Sequence, residues 1–519
     1  MQSTLKPSLK FQRISDMLII FVAVFLGILY VISAGDGFPL DDSWIHQTYG
    51  RNLAQTGEWA FTPGVPSAAS TSALYTVILS VGYKLNLPFL VWTHGVGIFA
   101  LALSGVVANR FGHFFDRTGR LGLCLGLAIV FAWHLIWSAV SGMETAIFNL
   151  MTLVVIYLAW HVLTAPQKTT REILLHSLCF GIASAILTLT RPEGILLVGL
   201  TGMVIWLTRS NRVWDWRQSF LWAVTTGIVF IIAMSPYLAL NMHLTGGLLP
   251  DTAAAKLASI RPLLALSYVE RVNLLIQPLL AGGQVLLIPG LIFFIVKHLR
   301  QVAQRDFKSA FFLLLPLWVV ALIALYAAWL PAHYQHGRYV IPAVPSWIIA
   351  GGIGTYGLIR AGRHSFLGRT FSRVLALTSA LIFVFCAFVL GLSAYKTDVA
   401  IINEEMVATA HWVDENIPES EFVAIHDIGA VGYFTERPIL DIAGLVSPEV
   451  VPALGDPEAL WSLIEDRGAV YLIAFPDQIP NDDPSDPRLC EVFSTQGASA
   501  IRAGGANMRT YRLAWDRNC

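Results

Sequence analysis

The stretch MLIIFVAVFLGILYVISAGDGFPLDDSWIHQTYG, residues 17 to 50, joins a long apolar run to two adjacent aspartates, Asp41 and Asp42. The run from 17 to 33 follows three basic residues. It is long enough to cross a bilayer, which takes roughly 17–25 residues. Carboxylates this close to a membrane are costly to place and are usually functional. The stretch therefore predicts an uncleaved first span that leads into a functional loop.

The overall composition is that of a membrane protein. Of 519 residues, 55% are hydrophobic and 13% are charged, whereas ordinary soluble domains have roughly 25% charged residues. Lys plus Arg equals Asp plus Glu at 34 each, and no basic block interleaved with aromatic residues occurs. This balance excludes the usual footprint of a nucleic-acid-binding protein and makes the lipid bilayer the first expected partner.

Further apolar runs long enough to cross a membrane follow the first. Together they predict a mostly α-helical, polytopic membrane bundle with about eleven spans. The runs after the first lie at residues 88–108, 121–140, 146–164, 173–190, 194–208, 219–240, 272–296, 309–330, 339–358 and 374–394.

Residues 71–86, TSALYTVILSVGYKLN, are interrupted by Lys84. A dozen helical residues cover roughly 18 Å, against a hydrocarbon core of about 30 Å. If this segment does not cross, nineteen Lys and Arg residues up to residue 395 lie on the N-terminal side of the membrane and seven on the other. Basic residues concentrate on the cytoplasmic side. We therefore predict a membrane-hugging helix here, a cytoplasmic amino terminus and an external carboxyl terminus.

The composition changes near residue 395, which divides the chain into a membrane domain, 1–394, and a small external α/β domain, 395–519. The segment MVATAHWVDENIP is typical of an amphipathic helix, and EFVAIHD, RPILDIAG, AVYLIAF and MRTYRLAW are typical of short strands. Cys490 and Cys519 both lie in this domain, where a disulfide is chemically permitted. Cys519 is also the last residue, so the pairing stays open.

Five polar motifs fall on the predicted external side. Ionisable groups at membrane depth are rare and usually face a cavity or a partner. Because all five lie on one side, they predict a single site. The motifs are the acidic pair, SGMET (141–145), TRPEG (190–194), TGGLLPDTAAAKL (245–257) and HYQHGRY (333–339).

Asp41 and Asp42 lie at the start of a predicted helix. From Asp41 onward, residues at intervals of four fall on one helix face, and Gly57 is typical of a helix end. One interpretation is structural, with one aspartate as the helix cap and Asp42 paired with His46. The other is catalytic, because a cap uses only one aspartate and two abutting carboxylates disfavour joint ionisation. A carboxylate with a raised pKa suits a general base that acts on a hydroxyl. We expect catalysis to depend on this pair, and on Asp41 first.

The other acidic and basic candidates also have two interpretations. Glu144 is a candidate catalytic acid, or a first-turn residue that complements a helix dipole. Arg191 and Glu193 flank a proline at a helix start, where they bind substrate or pair with each other. Lys256 is a donor-phosphate ligand or a solvated loop charge.

His333, His336 and Arg338 lie within six residues of one another, just before a predicted span. They form either an interfacial belt or an anion clamp, because an arginine grips phosphate through two parallel hydrogen bonds. A zinc site is disfavoured, since the sequence offers no nearby third ligand.

The segment GIGTYG, residues 352–357, matches G-x-G-x-x-G. A dinucleotide-binding motif follows a strand, whereas this segment lies inside a predicted span. It therefore indicates close helix packing through small residues.

Taken together, these motifs resemble the GT-C superfamily of membrane glycosyltransferases, and most of all bacterial relatives of the mycobacterial arabinofuranosyltransferases. The likeness covers nearly the whole chain. Family members often have Pro where this chain has Ala73, a departure that affects loop shape rather than chemistry. The segments that carry the likeness are the acidic pair, YGRNLAQTGEWAFTPGVPSAASTSALY, SGMET, RPEG, LTGGLLPDTAAAKL, HGRYVIP and HDIGAVGYFTERPILDIAGLV.

The resemblance implies a polyprenyl-phosphate sugar donor, an active site on the external face of the inner (plasma) membrane, and a base at Asp41 or Asp42. The acceptor would be an envelope glycan, lipid or protein, and transfer would invert the anomeric centre. Lys256 and Arg338 would stabilise the leaving phosphate. This scheme requires no cofactor and is compatible with a divalent metal. A non-enzymatic lipid or solute transporter is the rival class, although such proteins commonly show internal repeats, and we find none here.

Overall fold

The computed structural model describes residues 9–70, 72–161, 169–208, 215–248, 255–257 and 260–515. Helices make up most of the chain up to residue 416, and a small sheet follows. The longer helices of the described chain before that sheet are Leu9–Ala34, Asp41–Gln55, Ala73–Lys84, Phe89–Gly112, Arg120–Phe131, Thr145–His161, Thr170–Thr190, Gly194–Thr208, Trp216–Thr245, Tyr268–Leu280, Ile288–Ala303, Leu314–Trp329, Val344–Gly362, Phe366–Phe385, Leu392–Ile402 and Ala408–Asn416.

The predicted multi-pass helical bundle is confirmed, with fewer clear crossings than expected. Among the described residues, six helices are long and apolar enough to cross a membrane, or seven if Arg120–Phe131 and Trp133–Ala139, bent by 61°, form one span. Each predicted run overlaps a helix. Length and composition support only six or seven of the eleven predicted crossings, because bends and helix ends interrupt runs that are continuous in composition. Shorter apolar helices lie at Thr145–His161, Gly194–Thr208 and Leu314–Trp329.

The apolar run at 272–296 is not one helix, which corrects its predicted boundaries. The first helix, Tyr268–Leu280, ends just before Ala281. A short 3-10 helix follows, and then the helix Ile288–Ala303 begins. Pro278 lies in the last turn of the first helix, where a proline favours an end or a kink. The sequence composition is continuous across this break, but the backbone is not.

The first long loop contains both predicted helices. We call Asp41–Gln55, which begins at the acidic pair, the loop helix. It packs so closely on Ala73–Lys84 that a Cβ on Gly50 would lie 2.8 Å from the nearest side-chain atom of that helix. The position of Ala73–Lys84 along a membrane surface stays a prediction. The hairpin between the two helices consists of β1 (Ala60–Thr62) and β2 (Val65–Pro66).

A five-stranded sheet forms the C-terminal domain, with strands β3 (Val423–Ile425), β4 (Ile439–Asp441), β5 (Tyr471–Ala474), β6 (Leu489–Ser494) and β7 (Arg509–Leu513). The strand order is β4-β3-β5-β7-β6. β3 is parallel to β4 and β5, whereas β7 is antiparallel to β5 and β6. The sequence predicts β3, β4, β5 and β7 but not β6, an edge strand whose residues are mostly exposed or half-buried. The domain's helices include Gly429–Thr435, Pro457–Asp466 and Ala498–Arg502.

The cysteines that the structure describes differ in burial and bonding. Cys124, Cys179 and Cys386 are free, and only Cys386 of these three is buried. Cys490, in β6, is disulfide-bonded. Its predicted partner, Cys519, lies outside the described residues.

The C-terminal domain continues directly from the last long helix. Residues Phe366–Asn416 form one helical stretch of 51 residues with two short π-helical turns. The predicted domain boundary at residue 395 falls inside this stretch. Glu405, fully buried, accepts hydrogen bonds from the Met508 backbone N–H at 2.8 Å and from the Asn507 side-chain amide at 2.9 Å. These bonds fix the helix to the sheet.

The loop helix packs against the C-terminal domain through an apolar cluster. Trp44, Ile45 and Tyr49 are buried together with core residues of that domain. The ring centroid of Trp44 lies 5.0 Å from that of Tyr433 and 4.8 Å from that of Phe434. The start of the loop helix is thus held between the membrane helices and the C-terminal domain.

Candidate active site

Asp41 contacts the C-terminal domain and does not cap its own helix. Its Oδ2 accepts a hydrogen bond from the Gly429 backbone N–H at 2.6 Å, and its Oδ1 accepts one from Ala430 at 2.8 Å. The loop helix itself begins after Leu40 without a side-chain cap. A Cβ on Gly429 would lie 2.1 Å from the Asp41 carbonyl oxygen, so this approach requires glycine. Asp41 therefore satisfies the first N–H groups of a helix in the other domain.

The surroundings raise the pKa of Asp41 to about 7. Burial is the largest cause, and the negative charge of Asp427 in the C-terminal domain is the second. The two backbone N–H groups lower the pKa, and Asp42 adds a smaller rise. Asp41 is only 8% exposed, so neither carboxylate oxygen is open to a large ligand.

Asp42 faces the membrane domain. Its Oδ2 lies 2.6 Å from Nη2 of Arg338, and 31% of its side chain is exposed. Burial alone would raise the pKa of Asp42, but the charges of Arg338, Lys256 and His46 outweigh burial and lower it. Asp42 is therefore an accessible carboxylate that stays ionised at neutral pH.

One of the two terminal guanidinium nitrogens of Arg338 is not used in hydrogen bonds among the described residues. Its Nη2 also donates to the Tyr339 hydroxyl at 3.0 Å, and its guanidinium lies 5.0 Å from the centroid of that ring. Its Nη1 is buried without a hydrogen-bond partner among the described residues. An unpaired buried donor is costly, and a guanidinium nitrogen bonds well to an anionic oxygen. Nη1 is therefore available to a ligand anion.

The turn before Arg338 is strained. Gln335, His336 and Gly337 have φ values of 54°, 55° and 68°. The left-handed region costs a non-glycine residue roughly 1–3 kcal/mol. His336 Nε2 lies 2.7 Å from Asp398 Oδ2, which anchors the turn. Strain that is held in this way is common at functional sites, and here it immediately precedes Arg338.

Glu144 belongs to a second ionic network behind Asp42. Its Oε1 lies 3.6 Å from Arg191 Nη1, and its Oε2 lies 3.4 Å from His46 Nε2. Arg191 Nε also lies 2.6 Å from Glu193 Oε1, so the predicted Arg191–Glu193 pair is present. Burial would raise the pKa of Glu144, but His46 and Arg191 lower it to about 2. Glu144 is thus a buried carboxylate that is ionised at neutral pH and lies between His46 and Arg191.

Two tyrosines connect the networks. The Tyr326 hydroxyl accepts from Arg191 Nη2 at 3.0 Å and donates to Glu193 Oε1 at 2.5 Å. The Arg191 guanidinium lies 5.3 Å from the centroid of Tyr339, which also contacts Arg338. The residues that this chain of contacts joins are Asp42, His46, Glu144, Arg191, Glu193, Tyr326, Arg338 and Tyr339.

The remaining candidates differ in how they relate to the site. Lys256 lies close enough to Asp42 to lower the pKa of its carboxyl. His336 acts on the turn through Asp398. His333 is exposed, and no hydrogen bond or ion pair among the described residues joins it to the site. Within the same described residues, no group of three or more His, Cys, Asp or Glu side chains could hold a metal ion.

Sequence reasoning missed two acidic residues near the site. Asp398 accepts from Trp137 Nε1 at 2.8 Å as well as contacting His336. Asp427 follows β3 and accepts from Gln478 Nε2 at 3.0 Å. An acid in a long membrane-associated helix and an acid at the carboxyl end of a parallel strand are the signals that could have indicated them.

Comparison with known proteins identifies the fold of the membrane domain. Residues 396–514 match the family profile of a domain of unknown function, DUF8728, and no curated protein matches the sequence. The structure is similar to ArnT from Cupriavidus metallidurans bound to undecaprenyl phosphate. That match has a TM-score of 0.60 at 13% identity and covers 96% of this chain and 98% of ArnT.

Two further solved structures are similar to this chain. The archaeal oligosaccharyltransferase AglB from Archaeoglobus fulgidus, in complex with an inhibitory peptide and a dolichol-phosphate, matches with a TM-score of 0.60 at 11% identity, over 98% of this chain and 75% of AglB. The arabinofuranosyltransferase AftD from mycobacteria matches with a TM-score of 0.50 at 13% identity, over 99% of this chain and 42% of AftD. At these identities the likeness shows the fold, which is the GT-C fold that the sequence motifs resemble.

Proposed function

We propose that this chain is a glycosyltransferase that moves a sugar from a polyprenyl-phosphate donor to an envelope glycan, lipid or protein. The observation that carries the proposal is the Asp42–Arg338 pair, a partly exposed carboxylate 2.6 Å from a buried guanidinium, within a chain of GT-C fold. ArnT was solved with undecaprenyl phosphate and AglB with a dolichol-phosphate. The donors that we propose here are sugars linked to lipid phosphates of this class.

Asp42 is the general base of the proposed reaction. A base must come within hydrogen-bond reach of the hydroxyl whose proton it takes. Asp42 is 31% exposed on its side chain, whereas both oxygens of Asp41 are bonded to backbone N–H groups. The expectation that Asp41 is the base stays untested, and the geometry favours its neighbour. In this proposal Asp41 positions the loop helix.

The proposed step is an inverting displacement. Asp42 takes the proton of the acceptor hydroxyl, and the oxygen attacks the anomeric carbon on the face opposite the phosphate. The bond from that carbon to the phosphate oxygen breaks, and its electron pair leaves with the polyprenyl phosphate. The products are the glycosylated acceptor, polyprenyl phosphate and a protonated Asp42.

Arg338 and Lys256 stabilise the departing phosphate. Negative charge on the leaving oxygen grows in the transition state, where fixed cations contribute most. Arg338 offers the unpaired Nη1 described above, while its Nη2 stays on Asp42. Lys256 lies near the same carboxylate. One guanidinium therefore connects the proposed base with the proposed phosphate site.

The second network holds the loop helix in place. Glu144 binds His46, which lies one turn after Asp42, and Arg191, which is paired with Glu193. We propose positioning roles for Glu144, Arg191 and Glu193, because these side chains are buried and bonded to one another.

The proposed location is the inner (plasma) membrane, with the amino terminus in the cytoplasm and the site and C-terminal domain outside. The excess of basic residues at one end of the spans, nineteen against seven, supports this orientation. The scheme needs no cofactor. Chelation of divalent cations before the assay should leave transfer unchanged, and a loss restored by added metal would show a metal requirement.

The test is sugar transfer by the purified full-length protein in nanodiscs. The protein is incubated with a panel of polyprenyl-phosphate pentoses and hexoses and with candidate acceptors. Wild type is compared with Asp42→Asn and with Asp36→Asn, a matched control because Asp36 is an exposed acid of the same loop. Transfer that is lost in Asp42→Asn and kept in Asp36→Asn supports the proposal. Lipid movement without transfer would instead place the protein among transporters.

A further inference from the structure

A cleft opens between two helices at the end of the membrane domain far from Asp42. It lies between Ile288–Ala303 and Val344–Gly362 and has a cavity volume of about 90 Å³, with one side open to solvent. Arg360 lines the cleft near the end of the second helix, whereas Tyr339 of the candidate site precedes the start of that helix. At about 1.5 Å per helical residue, the two are roughly 30 Å apart. The cleft is therefore separate from the candidate active site.

Glycines allow the two helices to touch on one side of the cleft. A Cβ on Gly354 would lie 1.8 Å from the carbonyl oxygen of Gly290, so the two backbones touch at that level. This contact is the small-residue packing predicted for GIGTYG. Nearer the helix ends, Lys297 and Arg360 line the space in place of glycine pairs. The helices therefore touch at Gly290 and Gly354 and leave the cleft beside Lys297 and Arg360.

The lining combines aromatic walls with two cations. Phe293 and Phe294 belong to the wall, while Lys297 and Arg360 line the cleft and are exposed. His298 lines the interior and is 2% exposed; its ring nitrogens make no hydrogen bond of good geometry among the described residues, and the Gln301 side chain lies next to the ring. No acidic residue is among the described residues that line the cleft. The cleft thus offers positive charge and a polar ring to a ligand that is partly apolar.

We propose that this cleft binds the headgroup of an anionic phospholipid. Lys297 and Arg360 bind the phosphate oxygens, and His298 bonds to a polar headgroup or glycerol atom. An acyl chain lies along Ile292 and Val296, which are 57% and 39% exposed on the same helix. Basic pockets between membrane helices are sites where acidic lipid headgroups bind.

The chemistry of the cleft favours a lipid over a free phosphate ion. The phenylalanine wall adds no favourable contact to inorganic phosphate, whereas it packs well against glycerol and acyl carbons. Arg300 and Arg363 are exposed at the same end of the two helices, where basic residues attract an anionic leaflet. The lipid source is therefore the leaflet at the face opposite the candidate active site.

Lipid retention by the purified full-length protein tests the assignment. The protein, in mild detergent, is incubated with phosphatidylglycerol or phosphatidylcholine, and bound lipids are counted by native mass spectrometry. Wild type should retain about ten times more phosphatidylglycerol than phosphatidylcholine. Lys297→Gln with Arg360→Gln should remove this preference. Arg300→Gln with Arg363→Gln, which removes two exposed charges that do not line the cleft, should preserve it.

Each of the following outcomes would overturn the proposal. Equal losses in the two double variants would show diffuse attraction to surface charge. Equal retention of phosphatidylglycerol and phosphatidylcholine by wild type would show that the protein does not select an anionic lipid. Binding of inorganic phosphate without binding of phosphatidylglycerol would assign a soluble ligand. If the double variant does not fold, the single variants Lys297→Gln and Arg360→Gln should each lower retention by about fivefold, and unchanged retention in both contradicts the site. The readout is independent of sugar transfer.

Discussion

Asp41 and Asp42 are adjacent in the chain and belong to two different regions of the molecule. Asp41 lies in a closed contact with the C-terminal domain, where two backbone N–H groups occupy its carboxylate. Asp42 lies in a partly open ionic cluster of the membrane domain, beside Arg338. Successive residues of an α-helix point about 100° apart. One acidic pair can therefore fix a domain interface with one carboxylate and offer the other to a ligand.

The largest expected effect separates these two roles directly. Asp42→Asn keeps the size of the side chain and removes the proposed base, so transfer should fall by roughly 10²–10⁴-fold while the protein still folds. Initial rates with the lipid-linked donor measure the effect. Asp41→Asn, compared at equal folded protein concentration, should lose less. A larger loss in Asp41→Asn than in Asp42→Asn would return the base to Asp41.

The next largest effect concerns the cation beside Asp42. Arg338→Ala removes a charge-assisted hydrogen bond of about 1.5–3 kcal/mol, so donor use should fall roughly tenfold to a hundredfold. Arg338→Lys should recover part of the activity, since an ammonium ion cannot make the bidentate contact. Titration of the donor in the transfer assay measures both variants. Full recovery by lysine would indicate that charge alone matters at this position.

A smaller effect is expected from a substitution at the contact between Asp41 and the C-terminal domain. Gly429→Ala places a methyl group 2.1 Å from the Asp41 carbonyl oxygen and 2.7 Å from its Oδ2, so it should disturb the contact of Asp41 with the C-terminal domain without changing the Asp42 side chain. Transfer should fall by about tenfold, because a displaced loop helix misplaces Asp42. Hydrogen exchange at Gly429–Thr435 should rise in parallel. Wild-type exchange and activity in Gly429→Ala would show that the contact does not position the site.

The smallest effect is a shift in pH dependence, and it discriminates between the aspartates. The pKa of Asp42 is lowered, mainly by Arg338, whereas the pKa of Asp41 is raised to about 7. If Asp42 is the base, the acidic limb of kcat/KM lies below the ordinary aspartate pKa of about 3.9, and activity is flat from pH 5 to 8. A limb near pH 7 would indicate Asp41. Arg338→Gln should move an Asp42 limb upward.

The same pKa shifts have opposite signs for stability. The contribution of Asp41, whose pKa is raised, is fully present below the unfolded pKa of about 3.9 and is lost as pH rises through about 7. The contribution of Asp42, whose pKa is lowered, is present above the unfolded pKa and is lost as pH falls through the folded one. Thermal unfolding of Asp41→Asn and Asp42→Asn against wild type should show these opposite slopes.

Local patterns predicted much of the fold. Apolar runs locate helices because a membrane helix satisfies its own backbone hydrogen bonds and needs only an apolar surface. The loop helix and four of the five strands of the C-terminal domain follow from periodicity and turn residues. Composition could not reveal the break in the run at 272–296 or the edge strand β6. The first depends on backbone geometry near Pro278, and the second on pairing with β7.

The sequence predicted which residues belong to the candidate site better than it predicted how they contact one another. Asp42, Glu144, Arg191, Glu193 and Arg338 were recognisable because ionisable residues near a membrane are costly unless they are paired or functional. Of their contacts, only the Arg191–Glu193 pair was predicted. His46 lies 3.4 Å from Glu144, whereas the sequence suggested a pair with Asp42. Tyr326 and Asp398 became site residues only through contacts made by distant segments.

The sequence by itself determined that this protein is a helical membrane bundle with a small C-terminal α/β domain, and that acidic and basic groups gather at one end of the bundle. Hydropathy, charge bias and helical periodicity are local properties that the chain carries before it folds. Only the tertiary structure decided which aspartate is closed and which is open. That decision rests on Gly429 and Arg338, which lie hundreds of residues from the acidic pair in the chain. Burial and neighbouring charge act through space, so their effect on a carboxylate appears only when the folded chain brings those groups together.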